Sequence, residues 1–196
     1  LAIEVFETQS VVYLEVGDKE NAIAALMRIE PLRPDDFVLQ LRIAELLKEV
    51  GETELALDSA LEITDLSPML PAAWELLGHL KTGAARSTLA PLIDKVDSSL
   101  PTEDAALATD LLITFASLDE GDPRYPTLDF ELESAFKAEL SEDYFLAKTF
   151  LPDVRTDYAS ARVAFARAIA LEPTAERVLA LSHSLVEARQ RPLAIS

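Results

Sequence analysis

The residues of this 196-residue sequence that could do chemistry are few: two histidines, a Ser-His-Ser run and one acidic turn. Glu75 and His79 stand four residues apart, the spacing at which two side chains meet along one helix face. Such a couple can act as base and orienter, but on a helix surface it is more simply an exposed pair. Ser182, His183, Ser184 and Glu187 supply the letters of a hydrolase triad. A triad needs nucleophile, base and orienter to converge on one point. Neighbours on a single helix point in different directions, so this run is set aside. Asp119, Glu120 and Asp122 offer hard oxygen ligands. They lack the alternating spacing and distal Glu of a helix-loop-helix calcium site, and they read as a solvated turn. There is no Gly-rich phosphate loop and no His-Glu-x-x-His. With no cysteine in the chain, disulfides, thiolate zinc sites and thiol catalysis are excluded. The reading is of no catalytic residue, no metal and no cofactor.

The elements that would position any site are periodic. The stretch from Gly51 to Gly78 opens on a small-residue turn and continues with an apolar helical face of Leu55, Ala56, Ala60 and Ile63. Pro68 ends it, and a second helix opens with Trp74-x-x-Leu77-Gly78. The same marks recur 34 residues earlier, where Gly17, Ala22, Ile29 and Pro34 stand for Gly51, Ala56, Ile63 and Pro68. A fixed period of this length marks stacked helical repeats.

In chain order, residues 1–16 predict a helix carrying Phe6, Tyr13 and Leu14, stopped by Gly17-Asp18. Lys19 to Ile29 returns with Ala22, Ile23, Leu26 and Ile29, and Pro31 and Pro34 close it. Phe37 to Val50 carries Leu39, Ile43, Leu46, Leu47 and Val50, and Gly51 permits the left-handed helix end. Glu52 to Leu66 is the return helix. Pro71 suits a first helical turn, ahead of Trp74, Leu77 and Leu80. A third return helix is expected on Leu89, Leu92, Ile93 and Val96, capped at Ser87 or Thr88 so that Pro91 sits in its first turn. Pro101 falls one residue short of the period. Leu107, Leu111, Leu112, Phe115 and Leu118 form a further helix, followed by a long turn at 119–126. Leu128, Leu132, Ala135, Phe136 and Leu140 come next. Ser141 then caps a helix with Tyr144, Phe145, Ala147 and Leu151. A turn at 153–157 leads to a helix with Tyr158, Ala161, Phe165 and Ala168, ended by Pro173. Residues 119–157 carry no mark in register, so an irregular insertion there is the alternative to a repeat.

These marks resemble the tetratricopeptide repeat, a helix-turn-helix unit. Trp74, Leu77 and Gly78 match its first helix, with Lys81 where the pattern has an aromatic. Ala161, Phe165, Ala168 and Pro173 match its second. Ala22, Leu26, Ile29 and Pro34, and Ala56, Ala60, Ile63 and Pro68, match with conservative changes. The resemblance covers nearly the whole chain, weakly at 105–140. It implies an all-α fold: a right-handed α-α superhelix, or solenoid, of about five helix-turn-helix repeats with a C-terminal capping helix. The approximate repeats are 1–36, 37–70, 71–104, a divergent 105–141 and 142–175, with the cap at 176–189, all in one array over 1–196. A hairpin alone cannot bury both faces, and stacking three or more builds a continuous core.

The resemblance further implies a concave groove lined by the first helices. Its positions fall on Glu4, Glu7, Val11, Leu14 and Glu15, on Val38, Leu41, Glu45, Lys48 and Glu49, and on Ala72, Glu75, His79 and Thr82. Members of the family that hold a chaperone's C-terminal carboxylate use Lys, Asn and Arg there. This chain has Glu, Leu and Val instead. Its 35 acidic against 17 basic residues, net −18, repel phosphate backbones and anionic membranes. A basic or amphipathic protein segment is therefore the expected ligand, with Leu14, Val38 and Leu41 as apolar contacts, and nucleic acid is not expected. The expected role is a non-enzymatic protein-interaction scaffold or adaptor. The alternatives are a non-catalytic array within a larger enzyme, such as a glycosyl- or sulfotransferase, and a homo-oligomeric structural module. No run reaches the roughly 18 apolar residues of a membrane span, and no leader-like segment opens the sequence. The first residue is Leu, so the start reads as removed or not included. A soluble chain is expected, with a cytoplasmic compartment slightly favoured.

Overall fold

The computed structural model describes residues 2–118, 121–136 and 140–187, without the side chains of residues 2, 30 and 182–187. Among the described residues the fold is all-α, with no strand. The helices are α1 (Ala2–Glu15), α2 (Lys19–Leu26), α3 (Phe37–Val50), α4 (Thr53–Leu66), α5 (Pro71–Ser99), α6 (Thr102–Ser117), α7 (Tyr125–Phe136), α8 (Ser141–Leu171) and α9 (Ala175–Glu187), with a 3-10 turn at Glu30–Leu32. The chain forms two compact units. One comprises Leu1–Leu80 and Arg167–Pro173; the other comprises Lys81–Ala166 and the chain from Thr174 onward.

In the first unit α1 pairs with α2, α2 with α3, and α3 with α4. Gly17 and Gly51 make the two tight turns at φ 78° and 92°. That left-handed conformation costs a residue with a Cβ roughly 1–2 kcal/mol. Asp18 accepts from the Asn21 backbone N–H at 3.1 Å and so starts α2. Asp36 does the same for α3 through the N–H of Leu39 at 3.0 Å. Each cap satisfies a donor that the first helical turn leaves open. The buried side chains repeat as the turns do. Ala22, Leu26 and Ile29 are core residues, and so are Ala56, Ala60 and Ile63 one period later. Alanine at these places lets helix axes come to the short end of about 8–10 Å.

The period fails in α5. Two helices were expected over 71–104, the return one capped at Ser87 or Thr88, yet residues 71–99 are one helix. The buried positions explain it. Ala73, Leu76, Leu77, Leu80, Ala85, Leu89, Leu92, Val96 and Leu100 keep one stripe through the expected turn. Gly83 is exposed, does not adopt a positive φ, and is followed by two alanines that favour helix. Pro91 is tolerated in the interior because it and Ser87, whose carbonyl loses its helical donor, both lie on the exposed side. Trp74 is half-buried, and its indole N–H donates to the Pro68 carbonyl at 3.0 Å.

The same correction applies to 142–175. The expected turn at 153–157 is absent, and α8 runs unbroken for 31 residues. Tyr144, Ala147, Leu151, Val154, Tyr158, Ala161, Phe165 and Ala168 are all buried, in steps alternating three and four. This is a heptad stripe, which needs an uninterrupted helix to stay on one side. Tyr158, expected to open the helix after that turn, is a fully buried core residue in the middle of α8. Pro152 again sits on the exposed face. In the second unit the core gathers Leu89, Leu92 and Val96 from α5 with Leu112 and Phe115 from α6. Leu132 and Phe136 of α7 and the Tyr144–Tyr158 part of the α8 stripe complete it. Lys81, which replaces the aromatic of the repeat pattern, forms an ion pair with Asp157 at 2.9 Å, each about three-quarters buried.

Candidate functional site

The positions expected to face a groove fall into three kinds. Val11 and Val38 are 47% and 69% exposed, so both present apolar surface to solvent from α1 and α3. Glu45 and Lys48 are exposed on α3 as well, and Leu14 is half-buried. Glu7 is already engaged, because the Arg33 guanidinium donates to its carboxylate at 3.0 Å. Glu49 pairs with Lys19 at 2.7 Å. Leu41 differs: at 8% exposure it belongs to the core between helices, and its side chain is turned away from any ligand. The reason is the α3 stripe, in which Leu41, Ala44 and Leu47 follow one another at spacing three.

Glu75 and His79 lie on α5, the first half-buried and the second exposed. The side chains of Ser182, His183, Ser184 and Glu187 lie outside the described residues, as do Asp119 and Glu120. Asp122 stands at the entry to α7. It accepts from the backbone N–H, Nε and Nη2 of Arg124 at 2.7–2.9 Å. The hydrogen bond from the Arg124 side chain is the main reason its pKa drops to about 2. Among the described residues no group of His, Cys, Asp or Glu is arranged to hold a metal ion.

A polar cluster of Asp129, Tyr144 and Lys148 lies in the second unit, and no local sequence pattern marks it. The Tyr144 hydroxyl donates to Asp129 Oδ1 at 2.6 Å. Lys148 Nζ donates to both Asp129 oxygens at 3.0 and 2.9 Å and to the Tyr144 oxygen at 3.2 Å. Tyr144 and Lys148 are four apart on α8, so one face of the helix presents both to Asp129 on α7. Further along α8, Arg155 is buried and its guanidinium lies over the Tyr125 and Phe115 rings, at 4.8 and 5.6 Å from their centroids. It also donates to the Tyr125 hydroxyl at 3.2 Å. Flat stacking on aromatic faces offsets part of the cost of taking a guanidinium out of water.

The electrostatics decide what this cluster can do. Burial pushes the Asp129 carboxyl up, but the hydrogen bonds from Lys148 and Tyr144, with the charges of Lys148 and Arg155, more than reverse this and leave its pKa lowered. Burial and the Asp129 hydrogen bond raise Tyr144. The Asp129 hydrogen bond raises Lys148. Each group is thereby held in its ordinary state at neutral pH: carboxylate, phenol and ammonium. The arrangement ties α7 to α8 through charge-assisted hydrogen bonds. The i,i+4 spacing of Tyr144 and Lys148 is visible in the sequence. Their partner, 15 residues before Tyr144, is not, because nothing local predicts which face of α7 meets α8. Among the described residues, no helix is long and apolar enough to cross a membrane. No protein-family model matches the chain, and no curated protein aligns with it significantly.

Proposed function

We propose that this chain is a non-catalytic protein-interaction scaffold of the tetratricopeptide-repeat kind, with its helical hairpins stacked as a right-handed solenoid. In this reading it takes a basic or amphipathic segment of another protein on the exposed faces of α1 and α3. The observation that carries it is the doubled hairpin of the first unit. Two left-handed glycines 34 residues apart are each followed by the same three buried positions, Ala22, Leu26 and Ile29 and then Ala56, Ala60 and Ile63. Repetition of burial as well as of letters supports a repeat, and repeats of this kind offer their first helices to partners. Val11 and Val38 supply the apolar contacts, and Glu45 with the net charge of −18 supplies the preference for a basic ligand. Leu41 drops out of the contact set because it is buried. The long helix α5 leaves Glu75 and His79 outside any hairpin, so the ligand surface is assigned to α1 and α3 alone.

Titration of a labelled Lys/Leu amphipathic peptide and of its Glu/Leu counterpart, each at low and high salt, tests this reading. The basic peptide should bind and weaken with salt. Val11→Ser and Val38→Ser should each weaken it about tenfold, in line with roughly 1–2 kcal/mol for a lost apolar contact. Preference for the acidic peptide, or indifference to both valine changes, refutes it.

A further inference from the structure

From Glu49 to Leu80 the sequence contains no Lys or Arg, while Glu49, Glu52, Glu54, Asp58, Glu62, Asp65 and Glu75 are all acidic. At the centre of this stretch is α4, whose inner face of Ala56, Ala60 and Ile63 packs in the core. Its outer face is not simply polar. Leu55 and Leu66 are 52% and 59% exposed, and Met69, in the turn just beyond the helix, is 70% exposed. Leu55, Ser59, Glu62 and Leu66 are spaced four, three and four, so they share one strip of the helix. At about 1.5 Å per residue the two leucines stand roughly 16 Å apart, three turns of a helix. The adjoining strip carries Glu54, Asp58, Leu61 and Asp65, all exposed.

We propose that the outer face of α4 is a docking surface for a basic amphipathic helix of another protein. The side chains on the page specify that occupant. Leu55, Leu66 and Met69 fit an apolar stripe at i, i+3, i+4 and i+7. Asp58, Glu62 and Asp65 flank it with negative charge, and no cation of the same stretch neutralises them. A flexible methionine beside leucines suits a surface that adapts to its ligand. A second copy of the chain is a poor occupant, since pairing two such faces sets carboxylate against carboxylate. This surface belongs to the second helix of its hairpin. It is separate from the α1 and α3 residues proposed above and does not depend on them.

The experiment measures binding of a labelled 18-residue Lys/Leu amphipathic helix to the full chain, alongside the Glu/Leu version, by anisotropy at two salt concentrations. Leu55→Ser with Leu66→Ser should lower the affinity for the basic helix at least tenfold. Asp58→Lys with Asp65→Lys should lower it and flatten its salt dependence. Val38→Ser should leave the loss on α4 unchanged. All these positions are exposed, and unchanged circular dichroism checks that the variants fold. No binding of the basic helix, or wild-type affinity in the α4 variants, overturns the proposal. If binding responds to Val11→Ser and Val38→Ser alone, the α1 and α3 surface survives and this one falls. A concentration-dependent dimer that Leu55→Ser abolishes assigns the face to a second copy, and likewise overturns it.

Discussion

Asp129 shows how much a single carboxylate can hold together. It receives the Tyr144 hydroxyl and the Lys148 ammonium at once, fastening α7 to α8, the helix that follows it in the chain. Its pKa is lowered in the folded chain from the ordinary 3.8. A group depressed in this way contributes stability that is complete above the unfolded value. The contribution is lost as the pH falls through the lower folded value. Asp129→Asn should therefore destabilise the chain near neutrality by about 1 kcal/mol, given the partial exposure of its partner Lys148. The gap to wild type should narrow below pH 4. Urea melts across pH 2–7 check this, and a gap that stays constant with pH would show that the charge is irrelevant. At this scale the sequence was legible where chemistry is local. Gly51, Ala56 and Ile63 announce their turn and burial, and Pro71 announces its helix start. Asp129 could not be read, because its partners are fixed by the packing of α7 on α8.

Among the elements, the largest difference between expectation and structure is the pair of long helices. Asp153 to Asp157 looked like a turn because it contains residues common in turns, and Ser87-Thr88 ahead of Pro91 looked like a new helix start. What decides is the stripe that continues across them. Val154 and Tyr158 keep the α8 stripe in phase, and Ala85 and Leu89 keep that of α5. A hairpin would have reversed the chain and broken the phase. Gly83 offers a direct check. A Cβ added there meets nothing within 4 Å, and its backbone is helical. Gly83→Ala should thus stabilise the chain by about 0.5–1 kcal/mol, the difference between glycine and alanine in a helix interior. A thermal melt that moves down instead would count against an uninterrupted helix at this position. The first two hairpins were readable in their turns, which carry glycine in the one conformation that favours it, but Leu55, expected on the apolar face of its helix, is 52% exposed, and α2 stops at Leu26 rather than Ile29.

For the molecule as a whole, charge is the dominant statement. With 35 acidic and 17 basic residues, the folded chain repels itself more than the expanded one does. Ion pairs such as Lys19–Glu49 and Lys95–Asp143 relieve this locally, but each has a half-exposed partner and contributes little. Added salt should therefore raise Tm, because screening over about 8–10 Å weakens the long-range repulsion more than it weakens close pairs. A Tm that falls steadily from low to moderate salt would mean that the ion pairs outweigh the net charge. The same excess of acid also sets the sign of both proposed ligands, which links solubility and recognition in one property.

The regular spacing of buried residues along α8 has a genetic corollary. Deleting one codon near its middle would swing every later side chain by about 100° around the helix axis. Ala161, Phe165 and Ala168 would then turn toward solvent together. A deletion of the same size at Gly121, outside any helix, would leave the phase of each helix unchanged. Two three-base losses, equal as lesions in the gene, would differ in the protein as a misaligned gear differs from a slack belt.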